Sequence, residues 1–262
     1  MVDLTAFAAK GWCTLPYDAD LHDWVNAVTP AARRSIAAPE MQHWLQCQGT
    51  WFVGVDALDN DETGQVGTSG PLRGAPVDAI TALFGALPPL HRAQVSVTYP
   101  GFPKPRDEES DSAFRYRLKR YGAHVDGLLA VGPDRQRMIH EPHAFVLGLP
   151  INHFSANASP LMVWEGSHHI MGAALTEALK HHAPADWENV DLTAPYQAAR
   201  REVFETCTAV PVHATPGESY LMHRHCLHGV APWSCTETPP NDGRMIAYFR
   251  PELAGGIADW MQ

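Results

Sequence analysis

No run of about 18 uninterrupted apolar residues occurs in the sequence, so no membrane-spanning helix is expected and a membrane is set aside as a partner. A dense Lys/Arg stripe is also missing. With a formal charge of −10, most of the surface would repel a polyanion, which sets nucleic acid aside as well. There is no CxxC pair. The cysteines (Cys13, Cys47, Cys207, Cys226, Cys235) are odd in number and scattered, so they read as reduced thiols and not as a disulfide framework or a zinc site. The start, Met1-Val2-Asp3-Leu4-Thr5, lacks a basic region followed by an apolar one, which argues against a signal peptide and for a cytoplasmic protein. Repeats and low-complexity linkers are absent too, so residues 1–262 read as one domain. What the chain does have is apolar material, 45% of residues against 18% charged, enough for a sizeable core. It also has 15 histidines, a surplus that invites a metal and guarantees bystanders.

Periodicity divides the chain. Up to about residue 90 it reads as a helical support: Leu4, Phe7 and Ala8 before Gly11, an amphipathic stretch from Leu21 to Ala37, and a helix from Val77 to Phe84 ended by Gly85. A strand at Trp51–Val55 and an acidic, glycine-rich loop from Asp56 to Gly70 interrupt it. From about 91 to 251 the pattern becomes strand-like. Val95, Val97 and Tyr99 alternate, as do Phe114, Tyr116 and Leu118. Strands follow at Ala144–Leu149, Leu161–Trp164, Ala209–His213, Ser219–His223 and Met245–Phe249, with a helix from Ala173 to His182 between them. Helices first and short antiparallel strands after imply a mainly β barrel or sandwich with flanking helices.

The chemistry concentrates at Tyr121-Gly122-Ala123-His124-Val125-Asp126-Gly127. Side chains alternate along an extended chain, so His124 and Asp126 project from one face at neighbouring levels. An imidazole and a carboxylate so placed can take two adjacent corners of an octahedral metal. A third ligand would complete one triangular face and leave three positions open, the arrangement of two-His-one-carboxylate iron(II) oxygenases. Gly122 and Gly127 either keep bulk from the open side or simply end the strand. Three histidines compete to be the third ligand: His223, His225 and His228, in the segment Gly217–Gly229. Beyond them Arg244 opens a strand, and a guanidinium is a natural bidentate partner for the far end of a dicarboxylate. Arg250 lies on the same strand face but ends it before Pro251, where solvent exposure is usual.

In order and spacing the chain resembles the phytanoyl-CoA dioxygenase (PhyH-like) family. The match comprises His124-Val125-Asp126, then Ser159-Pro160-Leu161 leading to Glu165-Gly166-Ser167-His168, then Gly217-Glu218, His223, His228-Gly229 and Arg244. Phe7 and Lys10-Gly11-Trp12 are similar to the family's opening. Ser159, Glu165 and Glu218 depart from the usual Gly, Pro and Asp; none is a ligand, so they bear on substrate and subfamily. The resemblance implies a double-stranded β-helix (jelly-roll, cupin-like) with Fe(II) on His124, Asp126 and His228 and 2-oxoglutarate anchored by Arg244. Molecular oxygen would be consumed, succinate and CO2 released, and a small-molecule substrate hydroxylated. Relatives that halogenate carry a small residue where Asp126 stands, so the hydroxylase type is implied.

Other readings start from the same residues. A metal-dependent hydrolase could use the three ligands but would want a general base and has no use for Arg244; a metal-free binding module would not need the ligands at all. On the family pattern His223 becomes a supporting or core histidine and His225 a surface one. Ser167 and His168 shape their turn, and His140, His143 and His153 stay unassigned. The run Arg115, Arg117, Lys119, Arg120 could meet an anionic substrate, although a solvated strand face is the commoner outcome. The loop from Pro100 to Ser112 reads equally as a lid or as ordinary surface.

Overall fold

Every residue of Phe145–Pro150 and of Arg244–Phe249 is buried. Strands buried on both faces need cover on two sides, and that requirement arranges the chain in layers. The structure is a computed structural model that describes residues 4–236 and 243–262; the Met1-Val2-Asp3 start read above lies outside the described residues.

The strands are β1 (Trp12–Leu15), β2 (Leu45–Gln46), β3 (Trp51–Phe52), β4 (Gln94–Thr98), β5 (Leu128–Val131) and β6 (Gln136–Ile139). They continue with β7 (Phe145–Pro150), β8 (Leu161–Trp164), β9 (Ala209–Val212), β10 (Ser219–His223), β11 (His228–Val230) and β12 (Arg244–Phe249). The helices are α1 (Thr5–Lys10), α2 (Ala19–Ala37), α3 (Ala75–Phe84), α4 (Asp111–Lys119), α5 (Ser167–Leu179), α6 (Thr193–Thr206) and α7 (Ile257–Trp260). A large sheet runs β1-β10-β7-β12-β4-β3-β2, a small one β11-β8-β9, and β5-β6 form a separate hairpin. All pairings between these strands are antiparallel.

Alternation explains the double burial. Phe145, Leu147 and Leu149 of β7 and Met245, Ala247 and Phe249 of β12 pack with Leu21, Trp24, Val25 and Val28 of α2. The intervening Val146, Ile246 and Tyr248 face the other way, meeting Leu161 and Val163 of the small sheet. The small sheet's outer residues Met162 and Trp164 pack under α5 and α6. Two facing antiparallel sheets with helices outside make the double-stranded β-helix, mainly β with flanking helices. At α2 the physics is local as well: Asp18 caps the helix by accepting the Leu21 N–H (3.0 Å), and the apolar stripe recurs at helical spacing.

Two stretches differ from the sequence reading. Trp12–Leu15, within the supposed helical support, is an edge strand paired with β10. Phe114–Leu118 is not a strand but the middle of α4, whose N-terminus Ser110 caps through the Ala113 N–H; no α4 residue is buried, so the apolar alternation faces no core. The β5–β6 hairpin and α6 carried no expectation, yet both border the site described next.

Candidate metal centre

The His-x-Asp segment and the start of β11 are bound to each other. The His124 and His228 backbones exchange hydrogen bonds, N–H to O at 2.8 and 3.0 Å, so the two imidazoles emerge side by side with ring centroids 4.6 Å apart. Gly229 permits this approach, since a Cβ there would sit 2.3 Å from the Tyr121 carbonyl oxygen. Gly127, at φ +90°, turns the chain after Asp126 against the Glu141 carbonyl, so it ends the extended segment. Helix α6 steadies the motif from outside: Arg200 Nη2 donates to the Ala123 carbonyl (2.8 Å), and the Tyr196 hydroxyl accepts the Val125 N–H (3.4 Å).

The result is a compact donor set. Asp126 Oδ1 lies 3.2 Å from His124 Nε2 and 3.7 Å from His228 Nε2. One ligand atom from each residue lies within 4.8 Å of the others, and this is the one such His/Cys/Asp/Glu group among the described residues. An octahedral face with bonds of about 2.1 Å has edges of about 3 Å, so small adjustments seat an ion. Each imidazole is oriented by its other nitrogen: His124 Nδ1 faces the Gly122 carbonyl (3.1 Å) and His228 Nδ1 the Cys226 carbonyl (3.0 Å). A carbonyl only accepts, so each Nδ1 carries a proton, which leaves Nε2, the nitrogen beside Asp126, as the one to bind a metal.

Charge state agrees. Burial pushes the Asp126 carboxyl upward, but His228, itself charged in the acid range where the carboxyl titrates, a hydrogen bond with His124 and the Arg250 guanidinium together hold it well below the ordinary carboxylate range. Burial lowers His228 to about 4 against the pull of Asp126, so it is a neutral imidazole at physiological pH. Ionised carboxylate and neutral imidazoles are the forms that bind a metal. The exposed side is that of His124, 49% accessible, which opens on a cavity of about 500 Å³.

Arg244 opens β12 and Arg250 directly follows its last residue, Phe249, so alternation turns both towards the inner face of the sheet. Arg244 is 2% exposed, its guanidinium carbon 5.3 Å from the Phe154 ring centre, with its Nε unpartnered. Nearby, the Tyr220 hydroxyl donates to that of Tyr248 (2.9 Å). Arg250 is not the solvent-exposed end expected from its sequence position. Its Nη1 lies 3.5 Å from Asp126 Oδ2, and it lines the cavity, which Arg244 does not.

The remaining histidines separate cleanly. His225 is buried against Trp260, with ring centres 4.4 Å apart, and so is not the surface residue expected. His223 accepts the His225 N–H through Nδ1 and stays outside the triad. His143 is buried against Glu141, whereas His140 and His153 are exposed. Ser167 accepts the Leu227 N–H (2.8 Å), fixing the residue before His228, and His168 contacts the Ala8 carbonyl. Two departures from the family pattern have local partners: Glu165 pairs with Lys10 (3.2 Å), and Glu218 accepts the Thr215 N–H (2.8 Å). Ser159 adopts φ +52°, a conformation that glycine would reach more easily. In the loop from Pro100 to Ser112, Glu109 clamps Arg117 with two hydrogen bonds, while Phe102 and Pro103 line the cavity. The sequence reading passed over Arg137, Arg200 and Tyr196, all lining residues. The spacing Tyr196, Arg200, Phe204 on one helical face was the signal available.

No family model matches the chain, and no curated protein matches it in sequence. Solved structures match its architecture. The non-haem alpha-ketoglutarate-dependent carbocyclase SnoK from nogalamycin biosynthesis superposes with a TM-score of 0.52 at 12% identity, covering 99% of this chain and 90% of SnoK. The epimerase SnoN, solved with Fe3+, alpha-ketoglutarate and nogalamycin RO, gives 0.51 at 15% identity over 97% of this chain and 86% of SnoN. The fold is therefore one shared with non-haem iron, 2-oxoglutarate-dependent enzymes. No helix among the described residues is long and apolar enough to cross a membrane.

Proposed function

We propose that this chain is a single-domain, PhyH-like, Fe(II)- and 2-oxoglutarate-dependent dioxygenase that hydroxylates a small-molecule substrate. The observation that carries this reading is the triad itself: two imidazoles aiming Nε2 and one ionised carboxylate on one side, with the opposite side facing a cavity. Three protein donors on one face leave room for a chelating cosubstrate and oxygen, whereas a structural metal site would be closed. The iron and alpha-ketoglutarate bound in the structurally similar SnoN support the same choice.

His124, Asp126 and His228 would hold the iron, and Arg244 would pair with the far carboxylate of 2-oxoglutarate through a planar fork whose Nε has no other partner. When bound, iron would supply the oxidising chemistry by which oxygen is consumed and 2-oxoglutarate yields succinate and CO2. The chain's own contribution is positioning and exclusion. Asp126 contributes one negative charge to the centre, the Gly122 and Cys226 carbonyls hold the imidazoles in register, and Tyr121, Leu128 and Tyr196 wall the cavity beside them. Asp126, present where halogenating relatives have a small residue, favours hydroxylation.

The test is product analysis. Protein given Fe(II), 2-oxoglutarate and oxygen is expected to release succinate at a basal rate that rises with the right substrate, and to release none without iron. Absence of succinate under all substrates tried, with iron shown to be bound, would overturn the dioxygenase reading and favour the hydrolase.

A further inference from the structure

One wall of the cavity is built from guanidinium groups that pair with no carboxylate among the described residues. On α6, Tyr196, Arg200 and Phe204 fall at four-residue intervals, hence on one helical face spanning about 12 Å. Arginines from two other elements join this face. Arg137 of β6 lies 5.8 Å from the Tyr196 ring centre, Arg200 lies 5.4 and 5.5 Å from Tyr196 and Phe204, and Arg120, following α4, lies 4.3 Å from Phe204. The order is cation, ring, cation, ring, cation.

Aromatic faces hold guanidiniums in place without neutralising them. The hydrogen bonds these arginines make are few. Arg137 Nη1 donates to the Leu128 carbonyl (3.1 Å) and Arg200 Nη2 to that of Ala123, while the Arg120 side chain makes no hydrogen bond among the described residues. Arg200 Nε is buried and unpartnered. The acidic groups bordering the cavity are already engaged: Asp126 by His124, His228 and Arg250, and Glu141 by His143. Glu109 satisfies Arg117 and no other member of the wall. A chain of net charge −10 has thus gathered three uncompensated cations onto one rail beside its metal-ligand candidates.

Resting on the function proposed above, we infer that the substrate is an oxyanion, carrying carboxylate or phosphate groups that dock on Arg120, Arg137 and Arg200. Its reacting carbon then lies towards His124 and Asp126. Low-dielectric walls focus the field of these cations, so they select anions and speed their capture. The planar fork suits carboxylate and phosphate alike.

Binding of two simple probes tests this on the full-length, metal-free protein, where no iron can serve as the anion's ligand. Calorimetric titrations with phenyl phosphate and with isophthalate are compared with titration of neutral isophthalamide. At least one anion is expected to bind one-to-one and the diamide not at all; which anion binds more tightly identifies the preferred head group. Arg120→Gln and Arg137→Gln should each weaken binding about tenfold and the pair about a hundredfold, with Arg200→Lys largely retaining it. Arg120 makes only a ring contact, so its variant keeps the fold even if a change at Arg200 does not. Equal binding of anion and diamide, no binding of either anion, or undiminished anion binding in the Arg120/Arg137 double variant overturns the inference. Succinate formation is measured separately: its loss with anion binding intact strikes the dioxygenase reading alone.

Discussion

Asp126→Ala is expected to lose tight Fe(II) binding altogether. The carboxylate is the only anionic member of the triad, and its Oδ1 approaches both imidazole nitrogens. Deleting it leaves two neutral donors and the Arg250 guanidinium, a cation facing the place where another cation must sit. Even supporting residues one layer out from a metal typically cost 10- to 100-fold in affinity, so loss of a charged ligand should exceed about a hundredfold. Equilibrium dialysis of reduced protein against Fe(II) measures it, with one equivalent expected for the parent. Cobalt, nickel or zinc should be lost in parallel, because they use the same donors and differ mainly in intrinsic affinity. Unchanged metal binding in the variant would remove the triad from the argument.

The second large effect concerns the cosubstrate and is specific to it. Arg244→Ala should weaken 2-oxoglutarate binding roughly thirtyfold or more, the usual outcome, about 2–5 kcal/mol, of truncating one partner of a buried charge-assisted pair. Iron affinity should barely change, since the guanidinium would touch the far end of the cosubstrate and not the metal. Arg244→Lys should recover only part of the loss, because it restores charge without the fork. Following the visible charge-transfer band of the chelate during anaerobic titration separates the cases. If Arg244→Ala binds 2-oxoglutarate as the parent does and Arg250→Ala does not, the anchor is Arg250, which already lines the cavity. If neither matters, 2-oxoglutarate is not the cosubstrate.

What the sequence made legible follows from what sequence patterns encode. Leu161–Trp164 and Ser219–His223 were read with the bounds observed, and Met245–Phe249 within one residue, because short, largely apolar runs between turn residues mark buried strands. The His124–Asp126 pairing was legible because alternation is a local property. The distal member was legible only through the family resemblance: His223, His225 and His228 are equivalent in composition, and the backbone exchange with His124 that brings His228 into the donor set joins residues far apart in the chain. Arg250 was misjudged for the same reason. Its place before Pro251 suggests solvent, but the strand end folds back on Asp126. Phe114, Tyr116 and Leu118 misled in the opposite sense. Their period of two suggested a strand where the Ser110 cap and the absence of a sheet neighbour produced an exposed helix.

The contact between Arg250 and Asp126 makes the guanidinium a resident surrogate for the metal. A buried carboxylate without a countercharge would be strongly destabilising, and Arg250 supplies one to Asp126 from within the chain, so the metal-free protein is expected to stay folded. The same guanidinium is a competitor that an arriving ion must displace electrostatically. Arg250→Ala should therefore move two quantities in opposite directions: the metal-free protein melts at a lower temperature, while affinity for a divalent ion rises. A site of this kind trades some of its grip on the metal for the ability to wait, folded and correctly charged, until the metal comes.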